Sequence, residues 1–215
     1  MHHYYLSLYM KNGLKIVNNF LTKEECNQII NVIDRCIESN NISQVVDGDF
    51  RIYGIENFLD NQKLKQKLNL TIPYVEDYAS SKLFEHFYLG AKLTPSSSKG
   101  SGGGWHKDSI LKKQVKCIIY LNDVDSSNGP FQYVEGSNQF FKNIFHILRY
   151  GFTTRFPKGN FKFKEVCGSA GTLIISDTNG IHRGSPIVEK ERYAITLYSY
   201  FEPAPKSVKE LVLSN

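Results

Sequence analysis

The sequence predicts a mainly β protein with flanking helices, and three observations carry that reading. From Lys82 onward the chain breaks into short segments rich in β-branched and aromatic residues, KLFEHFYLGAKL, VKCIIYLNDV, FQYVEG, KFKEVC, TLIISD and RYAITLYSYF, divided by turn residues. Helical periodicity does not separate these segments as a parallel α/β sheet would require, which favours a double-sheet jelly roll or sandwich. Before Lys82 the apolar residues recur instead at helical spacing.

The first helix follows LKIV. Thr22 and Glu25 match a capping box, and Cys26, Ile29, Ile30, Ile33 and Ile37 then line one face. A second helix is expected after Asp60 through NQKLKQKLNL, ending before Pro73 because a residue preceding proline disfavours the helical region. Both helices would pack on one sheet. The only low-complexity stretch, SSSKGSGGG at Ser96 to Gly104, reads as a loop inside one domain, since the strands after it need strands before it to complete a core. The expected organisation is therefore a single domain over 1–215, helix-rich over 1–80, with a β core over about 82–201 and one helical insertion near Gln139 to Tyr150.

Composition narrows the function classes. With 41% hydrophobic and 22% charged residues in 215, the chain can bury an ordinary core and is not a disordered sequence. A net charge of +5 suits an anionic small molecule and falls short of a nucleic-acid footprint. No apolar run is long enough for a membrane span, and MHHYYLSLYM lacks the basic start and apolar stretch of a signal peptide, so a soluble cytoplasmic protein is expected. Cys26, Cys36, Cys117 and Cys167 form no C-x-x-C pair and read as reduced, mostly buried thiols.

Chemistry concentrates around two histidines. In WHKDS, His106 and Asp108 stand two positions apart, which on extended backbone turns both side chains to one face. His182, in DTNGIHRGSP after the strand TLIIS, can join them at the barrel mouth. Two imidazoles and one carboxylate form the facial triad of non-haem Fe(II) oxygenases, which leaves coordination positions open. Arg192 lies ten residues past His182 at the start of a strand whose alternate residues Arg192, Ala194 and Thr196 share a face. A guanidinium facing into a barrel requires an anion, and a carboxylate satisfies it bidentately.

Together WHKDS, LNDVDSSNGPFQYVEGSN, GTLIISDTNGIHRGSP and the arginine ten residues later resemble the phytanoyl-CoA dioxygenase family, over roughly 82–201. The resemblance implies a double-stranded β-helix, a cupin-like jelly roll. It implies Fe(II) held by His106, Asp108 and His182, with 2-oxoglutarate and dioxygen as co-substrates and Arg192 binding the distal carboxylate of 2-oxoglutarate. Relatives often carry a serine two residues after that arginine. Here the position is Ala194, so Thr196 or a tyrosine must supply the hydroxyl, and Tyr120 is a candidate. Related halogenases keep a small residue at the position of Asp108, so the carboxylate favours hydroxylation of a small-molecule substrate.

Other features have plainer readings. His86 and His146 lack acidic or thiol neighbours and read as structural or surface residues, and His2 and His3 as a terminus. GSGGGW lacks the order of a phosphate-binding loop and is expected to be a mobile flap. Lys107, Lys112, Lys113, Lys116 and Arg183 would suit an anionic substrate, although a solvated basic surface explains them equally well. Trp105 either walls the pocket or packs in the core. A cupin-like non-redox metal protein, an isomerase or a binding module, remains an alternative, but would have no use for Arg192. A catalytically silent relative would be expected to lose a ligand. Substrate identity, the oxidation outcome and oligomeric state are not legible.

Overall fold

The computed structural model describes residues 10–46, 48–95, 100, 102–110, 114–156 and 159–214. Leu14–Val17 forms β1, and α1 follows over Lys23–Glu38. Its capping box is complete: the Glu25 amide donates to Thr22 Oγ1 at 3.2 Å and the Thr22 amide to Glu25 Oε2 at 2.7 Å. Such a cap contributes about 1 kcal/mol. Cys26, Ile29, Val32, Ile33 and Cys36 are the buried face of this helix, while Ile30 and Ile37 lie at its edge.

The helix expected after Asp60 and before Pro73 forms as α2 at Gln62–Asn69, and a further helix, α3 at Thr71–Ala79, follows it at once. Pro73 starts no break because it lies in the first turn of α3, where its missing N–H has no intrahelical partner to lose. Among the described residues up to 80, β1, β2 (Gln44–Val46) and β3 (Asp49–Tyr53) accompany these helices and join the main sheet.

The strands expected from Lys82 onward all form: β4 at Glu85–Leu93, β5 at Val115–Tyr120, β6 at Phe131–Tyr133, β7 at Lys164–Val166, β8 at Leu173–Asp177 and β10 at Arg192–Tyr200. His182–Gly184 adds β9, the predicted insertion is helix α4 at Phe140–Tyr150, and Lys206–Lys209 is a short α5. The strands make two antiparallel sheets, ordered β1-β8-β5-β10-β4-β3-β2 and β7-β6-β9, a jelly-roll arrangement.

Period-two alternation sends one face of the large sheet to the helices and the other toward the small sheet. Ile52, Cys117, Ile119, Ile175, Ile195 and Leu197 pack with α1, α2 and α3 as the main core. On the opposite face Leu14, Tyr120 and Ile174 meet Phe131, Tyr133 and Val166 of the small sheet. A fully buried isoleucine or leucine contributes roughly 1.5–3 kcal/mol, so the helix-facing cluster dominates stability. Gly171 is required where α1 is docked: its φ is +87°, and a Cβ there would lie 1.9 Å from the Leu21 carbonyl oxygen.

Cys26, Cys36 and Cys117 are buried and Cys167 is exposed, all as free thiols. No helix among the described residues is long and apolar enough to cross a membrane. One surface departs from the usual polarity: α4 leaves Phe140, Phe141, Phe145 and Leu148 exposed along one stripe.

Candidate metal centre and its cavity

His106 lies in an isolated bridge and Asp108 in a bend, both outside any strand, and two local pairings hold them. The His106 amide donates to the His182 carbonyl at 2.9 Å and the His182 amide returns to the His106 carbonyl at 2.8 Å. This two-residue bridge sets the imidazoles side by side, with ring centroids 4.3 Å apart. The Asp108 amide donates to the Thr178 carbonyl at 2.9 Å, fixing the carboxylate beneath them. Gly102 permits the close packing: its φ is +85°, and a Cβ would stand 2.5 Å from His106 Cε1.

Each imidazole is oriented by its own neighbourhood. His106 Nδ1 lies 2.8 Å from the Gly104 carbonyl and His182 Nδ1 lies 2.9 Å from the Gly180 carbonyl. A carbonyl only accepts, so both rings carry the Nδ1 proton and turn an Nε2 lone pair toward Asp108. The two Nε2 atoms lie 3.6 and 3.8 Å from Asp108 oxygens. One donor atom from each of the three residues lies within 4.8 Å of the others.

The electrostatics keep these groups ready to bind a cation. Burial pushes the His182 pKa down to about 3, against the Asp108 charge, so the ring is neutral. Burial alone would raise the Asp108 carboxyl, yet Lys116, His106 and His182 together hold it well below the ordinary carboxylate range. Lys116 reaches across from β5, its Nζ 2.7 Å from Asp108 Oδ2.

Arg192 opens β10 and is 6% exposed. Its Nη1 is buried with no hydrogen-bond partner among the described residues. Burial lowers its pKa, and Tyr120 and Asp49 are the neighbours that oppose this. The Tyr120 hydroxyl donates to the Val166 carbonyl at 2.9 Å and accepts from the Phe131 amide at 2.8 Å, so its ring is fixed beside the guanidinium. Arg192, Ala194 and Thr196 share the inward face of β10, as the alternation predicts, and all three line a cavity of about 350 Å³ with His106, Asp108 and His182. A buried guanidinium with an unpartnered Nη1 and a two-imidazole, one-carboxylate cluster in one cavity fit a chelated divalent metal and an anion.

Other candidates resolve in both directions. Lys107 does not face the site: its Nζ donates to the Ser137 carbonyl at 2.9 Å and Asn143 Oδ1 at 2.6 Å. Arg183 stacks on Trp105 at 4.4 Å and donates to Gln132 Oε1 at 2.7 Å. Trp105 itself packs on Phe161 and Phe163 outside the cavity lining, as core packing predicts. Lys112 and Lys113 lie outside the described residues, as do His2, His3, Ser96 to Lys99 of the low-complexity stretch and Ser101 of the expected flap. Arg51 of β3 and Tyr198 of β10 line the cavity without having been singled out in the sequence. The alternation of DFRIY between glycines was a signal for β3, and for Arg51 on its inward face.

No protein-family model and no curated protein matches the sequence. Solved structures do. HygX from Streptomyces hygroscopicus with nickel and 2-oxoglutarate bound has a TM-score of 0.65 at 16% identity, covering 93% of this chain and 87% of that one. The non-haem α-ketoglutarate-dependent epimerase SnoN from nogalamycin biosynthesis has a TM-score of 0.64 at 16% identity, with coverages of 89% and 80%. A prolyl hydroxylase in complex with a hypoxia-inducible-factor peptide fragment from Trichoplax adhaerens has a TM-score of 0.59 at 18% identity, covering 93% and 86%. These likenesses establish the jelly-roll fold. None of the three is described as a phytanoyl-CoA dioxygenase.

Proposed function

We propose that the chain is a non-haem Fe(II)- and 2-oxoglutarate-dependent dioxygenase that hydroxylates a small molecule, with release of succinate and carbon dioxide. The observation that carries this is the pairing of a His106, Asp108 and His182 cluster with the buried Arg192 guanidinium, whose Nη1 is unpartnered among the described residues, in one cavity. HygX with bound 2-oxoglutarate and the α-ketoglutarate-dependent SnoN support the general class. The motif resemblance supports the narrower assignment to the phytanoyl-CoA dioxygenase-like branch, with 1–215 as one catalytic domain.

In this reading His106, Asp108 and His182 hold the metal, and Arg192 binds the distal carboxylate of 2-oxoglutarate, assisted by Tyr120 and Thr196. Bound there, iron with its co-substrate supplies the activation of dioxygen for attack on a substrate C–H bond. The chain supplies orientation. The Gly104 and Gly180 carbonyls hold the imidazole tautomers, Lys116 holds the outer oxygen of Asp108, and the small Ala194 leaves room beside Arg192. Because Asp108 fills its place with a carboxylate, no coordination position is vacated for a halide, which favours hydroxylation.

Two measurements test this. Anaerobic protein with Fe(II) is expected to bind 2-oxoglutarate with the weak visible band of a chelated keto acid. If the band does not form, the non-redox metal-protein alternative replaces the proposal. Once a substrate is found, labelled dioxygen should add one labelled oxygen atom to the product, unchanged by added chloride. Loss of two hydrogens without label would reassign the outcome to desaturation or cyclisation.

A further inference from the structure

The cations of the cavity are not all used by the metal centre and the co-substrate. Arg51, Lys116 and Arg192 line it together with a single carboxylate, Asp108. Asp49 stands beside Arg51, its Oδ2 at the outer limit of an ion pair, 4.0 Å from Nη2. Even with Asp49 counted, cationic side chains exceed carboxylates by one. A divalent metal and a doubly charged 2-oxoglutarate cancel each other and leave that excess in place. The other two lining cations do not alter it: Lys107 turns its amine away, and the exposed Arg155 donates to the Gly102 carbonyl at the mouth.

Geometry locates the excess. Across the large sheet, Arg51 pairs with Ala91, Ala91 with Ala194 and Ala194 with Tyr120, so two methyl side chains form a low floor between Arg51 and Tyr120. Arg51 therefore stands across that floor from the Tyr120 side, where Arg192 is assigned to the co-substrate. Toward the metal cluster, Lys116 Nζ sits 4.8 Å above the Tyr198 ring, and Tyr198 lies 5.9 Å from Tyr53 ring to ring. Tyr53 shares the inward face of β3 with Arg51, two residues along the strand. Phe87 stacks on Tyr198 at 5.5 Å and adds an apolar wall.

We infer that Arg51 and Lys116, with Tyr198, form a subsite for a compact anionic group, a carboxylate or phosphate, on the primary substrate. Lys116 then serves two neighbours, Asp108 on one side and the substrate anion on the other. Arg51 is a substrate-binding residue drawn from the part of the chain that carries no motif. The inference rests on the oxygenase reading for its location beside a loaded metal, and it narrows the substrate to a small anion with an apolar flank, suited to a cavity near the lower end of ligand-pocket sizes.

The test titrates inorganic phosphate and, separately, butyrate by calorimetry into protein loaded with Ni(II) and 2-oxoglutarate, for the parent, Arg51→Gln and Arg51→Lys. One of the two anions is expected to bind the parent and Arg51→Lys with a Kd of about 1 mM, and Arg51→Gln at least about tenfold more weakly. The affinity for 2-oxoglutarate should be equal in all three, and the anion that binds identifies the substrate group. Binding unchanged in Arg51→Gln, or no binding of either anion to the parent, overturns the subsite. Weakened 2-oxoglutarate binding in Arg51→Gln also overturns it, by placing Arg51 in the co-substrate site. Failure of the parent to bind 2-oxoglutarate at all refutes the oxygenase reading instead. The same anion titration on metal-free protein then decides the subsite by its dependence on Arg51.

Discussion

Replacing Arg192 by methionine separates a guanidinium that waits for a ligand from one that merely fills the core. In the ligand-free protein two effects oppose: a buried cation with an unpartnered Nη1 is removed, and its attraction to Asp49 and Tyr120 is lost. The ligand-free melting temperature should therefore move little. The response to 2-oxoglutarate should move much more. At about 100 times its Kd, a ligand of the native state adds about 2.7 kcal/mol. For a chain of this length that raises Tm by about 5–10 °C, at roughly 2–4 °C per kcal/mol. Loss of a buried charge pair costs on the order of 2–5 kcal/mol of binding, a weakening of at least about 30-fold. At the same ligand concentration the variant should then gain at most about 0.9 kcal/mol, or about 2–3 °C. The assay is thermal unfolding of Ni(II)-loaded parent and variant with and without 2-oxoglutarate. A variant that gains as many degrees as the parent refutes the assignment of Arg192 to the co-substrate.

Three further outcomes follow from other parts of the molecule. Asp108→Ala leaves Lys116 buried without the carboxylate 2.7 Å away, which should cost about 3–5 kcal/mol in urea denaturation. Asp108→Ala with Lys116→Met should recover more than half of that while still failing to bind metal, and no recovery would mean the pair is not what Asp108→Ala breaks. Gly171→Ala should lower stability by more than about 2 kcal/mol, because φ is +87° and the new Cβ would meet the Leu21 carbonyl at 1.9 Å. A urea midpoint like the parent's would contradict that close approach. In native protein only Cys167 should react quickly with a thiol reagent, since Cys26, Cys36 and Cys117 are buried and burial pushes the Cys26 thiol up to about 11. All four cysteines should react after denaturation, and rapid reaction of more than one beforehand would contradict the packing of α1 and β5.

The sequence made some features legible because their physics is local. A capping box within four residues started α1 correctly, and period-two runs marked β4, β5, β8 and β10. The cluster was legible for a related reason. His106 and Asp108 share a face through two-residue spacing, and Arg192 through alternation along β10. The helix expected to stop before Pro73 does so as α2, but α3 was not foreseen, because the proline rule cannot tell a chain that leaves the helical region from one that begins a second helix. The lysines near the site could not be sorted from composition. Lys107, in the segment between β4 and β5, turns its amine to the Ser137 carbonyl, whereas Lys116 on β5 turns to Asp108.

Arg51 shows where local reading ends. Its place in the cavity depends on the register of β3 against β4, which pairs Arg51 with Ala91 forty residues later, and of β4 against β10, which pairs Ala91 with Ala194 a further hundred residues on. A shift of one residue in the first pairing would turn Arg51 toward the helices and bring Ile52 into the cavity. That alternative is disfavoured by burial: Ile52 is fully buried with α1 and Ile55 in the main core, where a guanidinium in its place would have to be desolvated. The apolar face of β3 thus fixes the direction of its charged face. In the proposed function the co-substrate half of the cavity is written in the motifs of the last 110 residues. The substrate half depends on a strand whose only sequence mark is its alternation.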